Sequence, residues 1–541
     1  MLDRAWELGR RLEDPPRLRK QVRLAGLSLM QLGLSLGSLS IFTAHPAFGL
    51  GMWPDAEPMG IVFLGASALC FAGLGILGLE SGAPVRSLGH PIVLAPTALG
   101  VWSLLAAPAT ALPMLSLFGP PENHLGALWY LCFAGLTASA MILRRHAALF
   151  RSTVAIAAAA ALIAAGLNLW RIDWPNDWRP WLDWMTRKTL LEFNEYQAYY
   201  ALALMTIALV SLRAGPRRFG RWLVAAGLMS LAASRNRAAM IAMAVGYAPV
   251  LLAPYLTRVH AFRARASMPP RLWAGAVVGA IVLIAGASYA VLRMADLRGI
   301  APTLRSRRVL FDGIEPSLFS DATAVALGHG WGRYADHLTT NLTSAGIRLF
   351  DKEWGGLGRD LFHSHHAFLE ALFAVGLPGL VLALAIPIAA ALGAQRRWRA
   401  PAAAFTLSWT VIDSFWFMMP ATVPVLALAC GALAESSCRI RWRRRRWPWS
   451  TGLIGFAVLI LAGGGDALCQ CAGHDTACRL PGGRPVSCRL RRRFGADRST
   501  PRGTRVGSDD WRDGAGHASG KGALGGTSPR SASCSGRSPA P

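Results

Sequence analysis

Charge is scarce in this sequence. Of 541 residues only 16% are Asp, Glu, Lys or Arg, while 53% are hydrophobic, and the mean hydropathy is +0.35. A soluble chain of this length carries more charge, so a water-exposed globule is a poor reading. The apolar stretches also lack strict alternation, which argues against a membrane β-barrel. Cysteine is sparse. Cys70, Cys132, Cys430 and Cys438 stand singly in or beside apolar runs, and Cys469, Cys471, Cys478, Cys488 and Cys534 are spaced irregularly near the end. The first four read as small core residues, and the spacing of the last five does not fit a zinc pattern. No clear internal repeat is visible, as a transporter built from repeated halves would show. Acidic residues are scarcest of the charged types, 30 against 56 Lys and Arg, for a net charge of +26. That excess does not point to nucleic acid, because most basic residues sit in short clusters between apolar runs. There they act as topology signals, retained on the cytoplasmic side.

What is abundant is apolar runs of about 20 residues, the length that spans a bilayer as a helix. The composition therefore predicts an all-α, polytopic helical integral membrane protein. Twelve transmembrane helices are expected near residues 22–43, 59–79, 91–117, 125–143, 152–170, 195–212, 222–234, 238–256, 272–292, 367–394, 401–418 and 421–437, with a thirteenth candidate at 449–464. The first run follows Arg17, Arg19, Lys20 and Arg23. It is too long for a signal-peptide core and has no clear cleavage site. With a cytoplasmic N-terminus, every strongly basic loop falls on one side, from Arg144–Arg145 to "RIRWRRRRW". The other side, periplasmic in a Gram-negative cell, receives a Trp-rich loop (Trp174, Trp178, Trp181, Trp184), the Arg235–Arg237 turn and a long loop, 293–364. The tryptophans suit an interfacial belt or a helix lying flat on the membrane; sugar stacking is the alternative. Residues 1–464 thus form a transmembrane domain. Residues 465–541, rich in Gly, Arg, Ser and Pro, read as a disordered tail, or as a frameshifted end of the reading frame.

Three groups on the outer side carry candidate chemistry. At the mouth of the tenth run, "FHSHHAFLEALFAVGLPGL" places His363, His365 and His366 ahead of Gly376 and Gly379. At the turn before residue 238, "AASRNRAAM" places Arg235 and Arg237 at a helix mouth, which is costly without an anionic partner; lipid headgroups would also serve. Within the long loop lie Arg307, Arg308, Phe311 and the run Gly328-His329-Gly330-Trp331-Gly332, which reads most simply as a turn. His363, His365, His366 and His329 suit zinc in kind, but no carboxylate or cysteine completes a recognisable spacing. No metal and no cofactor is expected.

Together these features resemble the O-antigen ligase and O-antigen polymerase superfamily of bacterial membrane proteins. Its signature is His, then Asn, Ser or Gln, nine residues, Gly, two residues, and Gly or a similar residue. Here that is His365, His366, Gly376 and Gly379, with His366 in the position usually Asn, Ser or Gln. A register starting at His363-Ser364 restores the Ser but puts Ala374 where Gly belongs, so His363 stays as the alternative to His365. The family's Ser-Arg-Gly-like triplet corresponds to Ser234-Arg235 or to Arg237. Its loop Arg, aromatic and Gly-x-Gly-x-Gly correspond to Arg307 or Arg308, Phe311 and Gly328–Gly332. The likeness covers roughly residues 190–395.

The resemblance implies a GT-C-like, metal-independent, inverting glycosyltransferase of the bacterial inner membrane, with its active site facing the periplasm. The donor would be a glycan on polyprenyl diphosphate. The acceptor would be a hydroxyl of lipid A–core for a ligase, or of another lipid-linked repeat unit for a polymerase. A neutral His365 would take the acceptor's proton, and Arg235, Arg237 and Arg307 or Arg308 would hold the diphosphate. Gly376 and Gly379 would allow close helix packing behind the histidine. A flippase or transporter is the remaining alternative.

Overall fold

The computed structural model describes residues 16–42, 57–80, 87–120, 125–170, 195–234, 236–250, 300–344, 346, 364–435, 450–458 and 460. The chain divides into two compact units, 1–476 and 477–541, and all described residues lie in the first. The tryptophan loop, the ninth expected span (272–292), the basic run 439–447, the tail, His363 and Arg235 lie outside the described residues.

Among the described residues the structure is helical, with no strand. In order these are α1 (Pro16–Leu39), α2 (Glu57–Glu80), α3 (Pro91–Ala106), α4 (Pro113–Phe118), α5 (Ala127–Leu143), α6 (Ala147–Trp170), α7 (Glu195–Ala214) and α8 (Arg217–Ser234). There follow α9 (Arg237–Val250), α10 (Ile300–Leu318), α11 (Ala322–Leu327), α12 (Tyr334–Asn341), α13 (Ala367–Leu392), α14 (Arg399–Asp413) and α15 (Val423–Leu433). Among the described residues, six segments are long and apolar enough to cross a membrane: 18–42, 59–79, 91–109, 147–167, 196–214 and 367–392. Helices α5, α9 and α15 are apolar but shorter.

Burial sorts these helices. Every residue of α15, and all of α5 except Leu131, is buried. A helix apolar all round belongs in the centre of a bundle. The helices around them expose large apolar side chains: Leu24 and Leu32 on α1, Leu105 on α3, Ile163 on α6, Leu228 on α8, Val245 on α9, Val381 and Leu392 on α13. Such a belt is a liability in water and ordinary against lipid. Where apolar surface faces apolar solvent, helices associate through close packing of small residues. Accordingly Gly33 of α1 lies against the Ala66 carbonyl of α2, and Gly73 of α2 against the Gly26 carbonyl.

Two expected elements come out differently. The third run, expected to reach residue 117, ends as a long helix at Ala109, because Pro108 and Pro113 interrupt it; α4 follows as a separate short piece. Among its described residues, the long loop 293–364 contains the helices α10, α11 and α12. α10 and α12 bring Leu310, Ile314, Leu318, Tyr334 and Leu338 around Phe373 of α13, and the Tyr334 hydroxyl donates to the Leu310 carbonyl at 3.0 Å. These helices therefore form a folded cap on the first half of α13.

That half of α13 is separated from the second by a break. Val375 (φ −136°) and Gly376 (φ +73°) leave the helical region, and Pro378, with no N–H, cannot bond the Ala374 carbonyl. Orphaned carbonyls at membrane depth must find partners in the protein. They do: His329 N–H donates to the Phe373 carbonyl at 2.9 Å, and Gly330 N–H to the Ala374 carbonyl at 2.8 Å. The Trp102 indole donates to the Val375 carbonyl at 2.9 Å. The glycine run of the cap thus plugs the break. Gly328 (φ +71°) abuts the Ala374 and Val375 backbone, and a Cβ on Gly376 would lie 2.5 Å from the Ala326 carbonyl carbon. Trp331 closes the plug, buried, its indole donating to Ser103 at 3.1 Å.

Candidate functional site

His365 stands at the N-terminal mouth of α13 with φ +52°, the one non-glycine residue at positive φ among the described residues. That conformation costs a side-chain-bearing residue roughly 1–3 kcal/mol and persists only where its surroundings enforce it. Here both flanks are fixed. Ser364 N–H donates to the Glu370 carboxylate at 2.8 Å, and Ser364 Oγ donates to the His366 carbonyl at 2.8 Å. His366 caps α13, its Nδ1 accepting from Leu369 N–H at 3.2 Å. Ala367 N–H donates to the Trp416 carbonyl at 3.1 Å. The His365 ring, 2% exposed, leans on Trp416 with centroids 4.9 Å apart and on Phe417 at 6.4 Å.

A buried polar layer lies beneath that mouth. Glu370 on α13 and Asp413 at the end of α14 are 3% and 2% exposed. Asp413 accepts from the Tyr199 hydroxyl of α7 at 2.6 Å. The Tyr200 hydroxyl donates to the Ser38 carbonyl at 2.5 Å, tying α7 to α1. A void of about 10 Å³, lined by residues including Tyr130, Phe368, Pro387 and Asp413, has room for about one water. The larger cavity, about 180 Å³, is at the other end of the bundle, between Arg144, Arg145, Gln395 and Glu435. There Arg144 donates to the carbonyls of Gly431 and Ala434, which end α15, and half-burial pushes its pKa down to about 10.

The expected site residues fall in different places. Arg237 is half-buried at the start of α9, whose first turn is capped by Asn236 Oδ1 accepting from Ala239 N–H at 3.0 Å. Hydrogen bonds fix its level. Ser408 of α14 donates to the Ala242 carbonyl of α9 at 2.8 Å, and in this antiparallel pair Arg237 comes level with Asp413, five residues further along each helix. His365, Asp413 and Arg237 thus lie toward one end. Arg308 does not join them: it sits on the cap, its side chain 82% exposed, paired with Asp312 at 3.7 Å. Arg307 is a neighbouring residue of α10. Gly376 makes its close approach through the break in α13 and not along an unbroken helix. The Gly328–Gly332 run offers no free N–H at His329 or Gly330, both of which serve α13. Among the described residues no cluster of three or more His, Cys, Asp or Glu could hold a metal ion.

Sequence reasoning passed over Glu370, Asp413 and Tyr199. The signal was present: an acidic residue inside an apolar run is a functional candidate by default, and Glu370 is one of few in such a position.

No protein-family model matches the chain, and no curated protein matches it in sequence.

Proposed function

We propose that the protein is a glycosyltransferase of the O-antigen ligase and polymerase type, acting at the outer face of a bacterial inner membrane through about twelve helices of GT-C-like arrangement. The observation that carries this reading is His365: a strained, buried imidazole, held on both flanks, at the bundle end that also holds Arg237. In the reaction the acceptor oxygen attacks C1 of the donor sugar from the face opposite the diphosphate. The new C1–O bond forms as the C1–O bond to the diphosphate breaks, inverting C1. His365 takes the acceptor proton, and Arg237, with Arg235, holds the charge left on the diphosphate. Trp416 and Phe417 shield the imidazole. Transfer of finished glycan to lipid A–core is the favoured form; joining of lipid-linked repeat units is the second.

One observation favours a different class. A broken helix beside buried carboxylates is also what substrate transporters use. The experiment that separates the readings sizes polyprenyl-diphosphate-linked glycan in a deletion strain. Long chains with bare core on the surface mean a ligase, and single repeat units mean a polymerase. No accumulation, or full complementation by His365→Ala, contradicts glycosyl transfer.

A further inference from the structure

The cavity of about 180 Å³, at the far end of the bundle from His365, belongs to no step of the proposed transfer. A void of about 150 Å³ is enough to hold benzene, so the space is ligand-sized. Arg144 and Arg145 follow α5, Gln395 follows α13, and Ala434 and Glu435 follow α15; all five line it. The segments leaving α13 and α15 are laced together. Gln395 N–H donates to the Leu433 carbonyl at 3.2 Å, and Glu435 N–H to the Gly393 carbonyl at 2.9 Å. Gln395 Nε2 donates to the Ala434 carbonyl at 3.2 Å. Its Oε1 accepts from Arg397 Nε at 2.9 Å, which holds a third arginine behind the wall.

The donors of Arg144 narrow the ligand. A guanidinium carries five N–H donors on a rigid fork. Arg144 gives Nη1 to the protein, bonding the carbonyls of Gly431 and Ala434. Among the described residues its Nε and Nη2 have no partner, and no carboxylate pairs with it. A half-buried charge without a counter-ion is costly, and the like charge of Arg397 adds to the cost. Nε with one Nη is an edge by which arginine grips two oxygens of a single anion. Glu435 is the one carboxylate among the residues lining the cavity, so arginine outnumbers carboxylate around it. The depth of the cavity selects the anion. The apolar helix α5 ends at Leu143, which puts Arg144 and Arg145 at headgroup level, where phosphate is the abundant anion and basic pockets between helices take it up.

We infer that this cavity binds a phosphate group, gripped by the Nε–Nη2 edge of Arg144 with Arg145 and Gln395 beside it. The phosphate is that of an anionic lipid headgroup or a soluble one; the chemistry of recognition is the same. The site stands apart from the reading of His365 and does not depend on it.

The test uses the full chain, delipidated in maltoside micelles, whose headgroups carry no phosphate. One arm titrates phosphatidylglycerol and counts the lipid retained by native mass spectrometry. The other titrates inorganic phosphate and follows the melting temperature. One ligand per chain is expected: in the lipid arm alone for a headgroup site, and in the phosphate arm for a soluble one. Arg144→Lys keeps a charge at the α15 carbonyls but loses the fork, and should weaken that binding by about tenfold or more. Glu435→Gln removes the competing carboxylate and should tighten it severalfold, which keeps the test decisive if the lysine variant does not fold. No binding in either arm, binding that Arg144→Lys leaves unchanged, or binding that Glu435→Gln fails to tighten overturns the inference and leaves Arg144 as the cap of α15.

Discussion

At the residue scale the site depends on how His365 is held. Glu370 grips Ser364 N–H, and through it the strained residue next door. Glu370→Ala should therefore lower transfer by roughly tenfold to a hundredfold, the loss expected when a reacting group shifts by about 1 Å, mainly in kcat. Glu370→Gln keeps an acceptor oxygen and should retain most activity; steady-state kinetics on the purified pair decides it. His365→Ala should cost about 10²–10⁴-fold, the usual contribution of a general base. The candidates were readable in the sequence because they sit in a short contiguous motif. The grip on them was not, since Glu370 looks like any polar residue near a helix mouth until the backbone at Ser364 turns back toward it. Arg308 failed to join the site for the opposite reason: a sequence pattern carries no information on which side of a cap helix an arginine emerges.

At the element scale α13 and the cap are one unit, because the broken helix borrows its missing donors from residues 329 and 330. Gly376→Ala adds a Cβ against the Ala326 backbone at positive φ and should destabilise by about 2–4 kcal/mol, measurable as a fall in melting temperature. The cap should also respond to pH. Burial, with smaller contributions from His329 and Arg333 opposing Asp336, pushes His337 down to about 4. Its ring packs on Phe373 at 5.2 Å and its Nδ1 meets Ser317 Oγ at 3.0 Å. A histidine with a depressed folded pKa binds its proton better when unfolded. Its stability is thus fully present above about 6.5 and falls as the pH drops toward 4. His337→Gln should flatten that part of the melting-temperature profile. Six of the expected runs coincide with helices long and apolar enough to cross a membrane, since length and hydropathy decide that much. The cap helices were missed because their apolar positions are few and face Phe373, a residue far along the chain.

At the scale of the whole molecule the arrangement is polarised. Arg144 and Gln395 gather at the end where α15 finishes, while His365 and Asp413 collect toward the other. If the basic end is cytoplasmic, a cysteine at Arg308, introduced with the native cysteines removed, should react with an impermeant maleimide on intact cells. One at Arg399, exposed at the start of α14, should react only after lysis. The reverse pattern would place the candidate site on the wrong face for a flipped donor.

The most direct test of the central claim is transfer by the purified full chain, in nanodiscs, of glycan from polyprenyl diphosphate to a hydroxyl acceptor, with wild type beside His365→Ala. The account predicts an inverted glycosidic product from wild type without added metal, and a loss of at least about a hundredfold with His365→Ala at an unchanged melting temperature. Equal turnover by the two proteins, or a product that retains the donor's anomeric configuration, would contradict it.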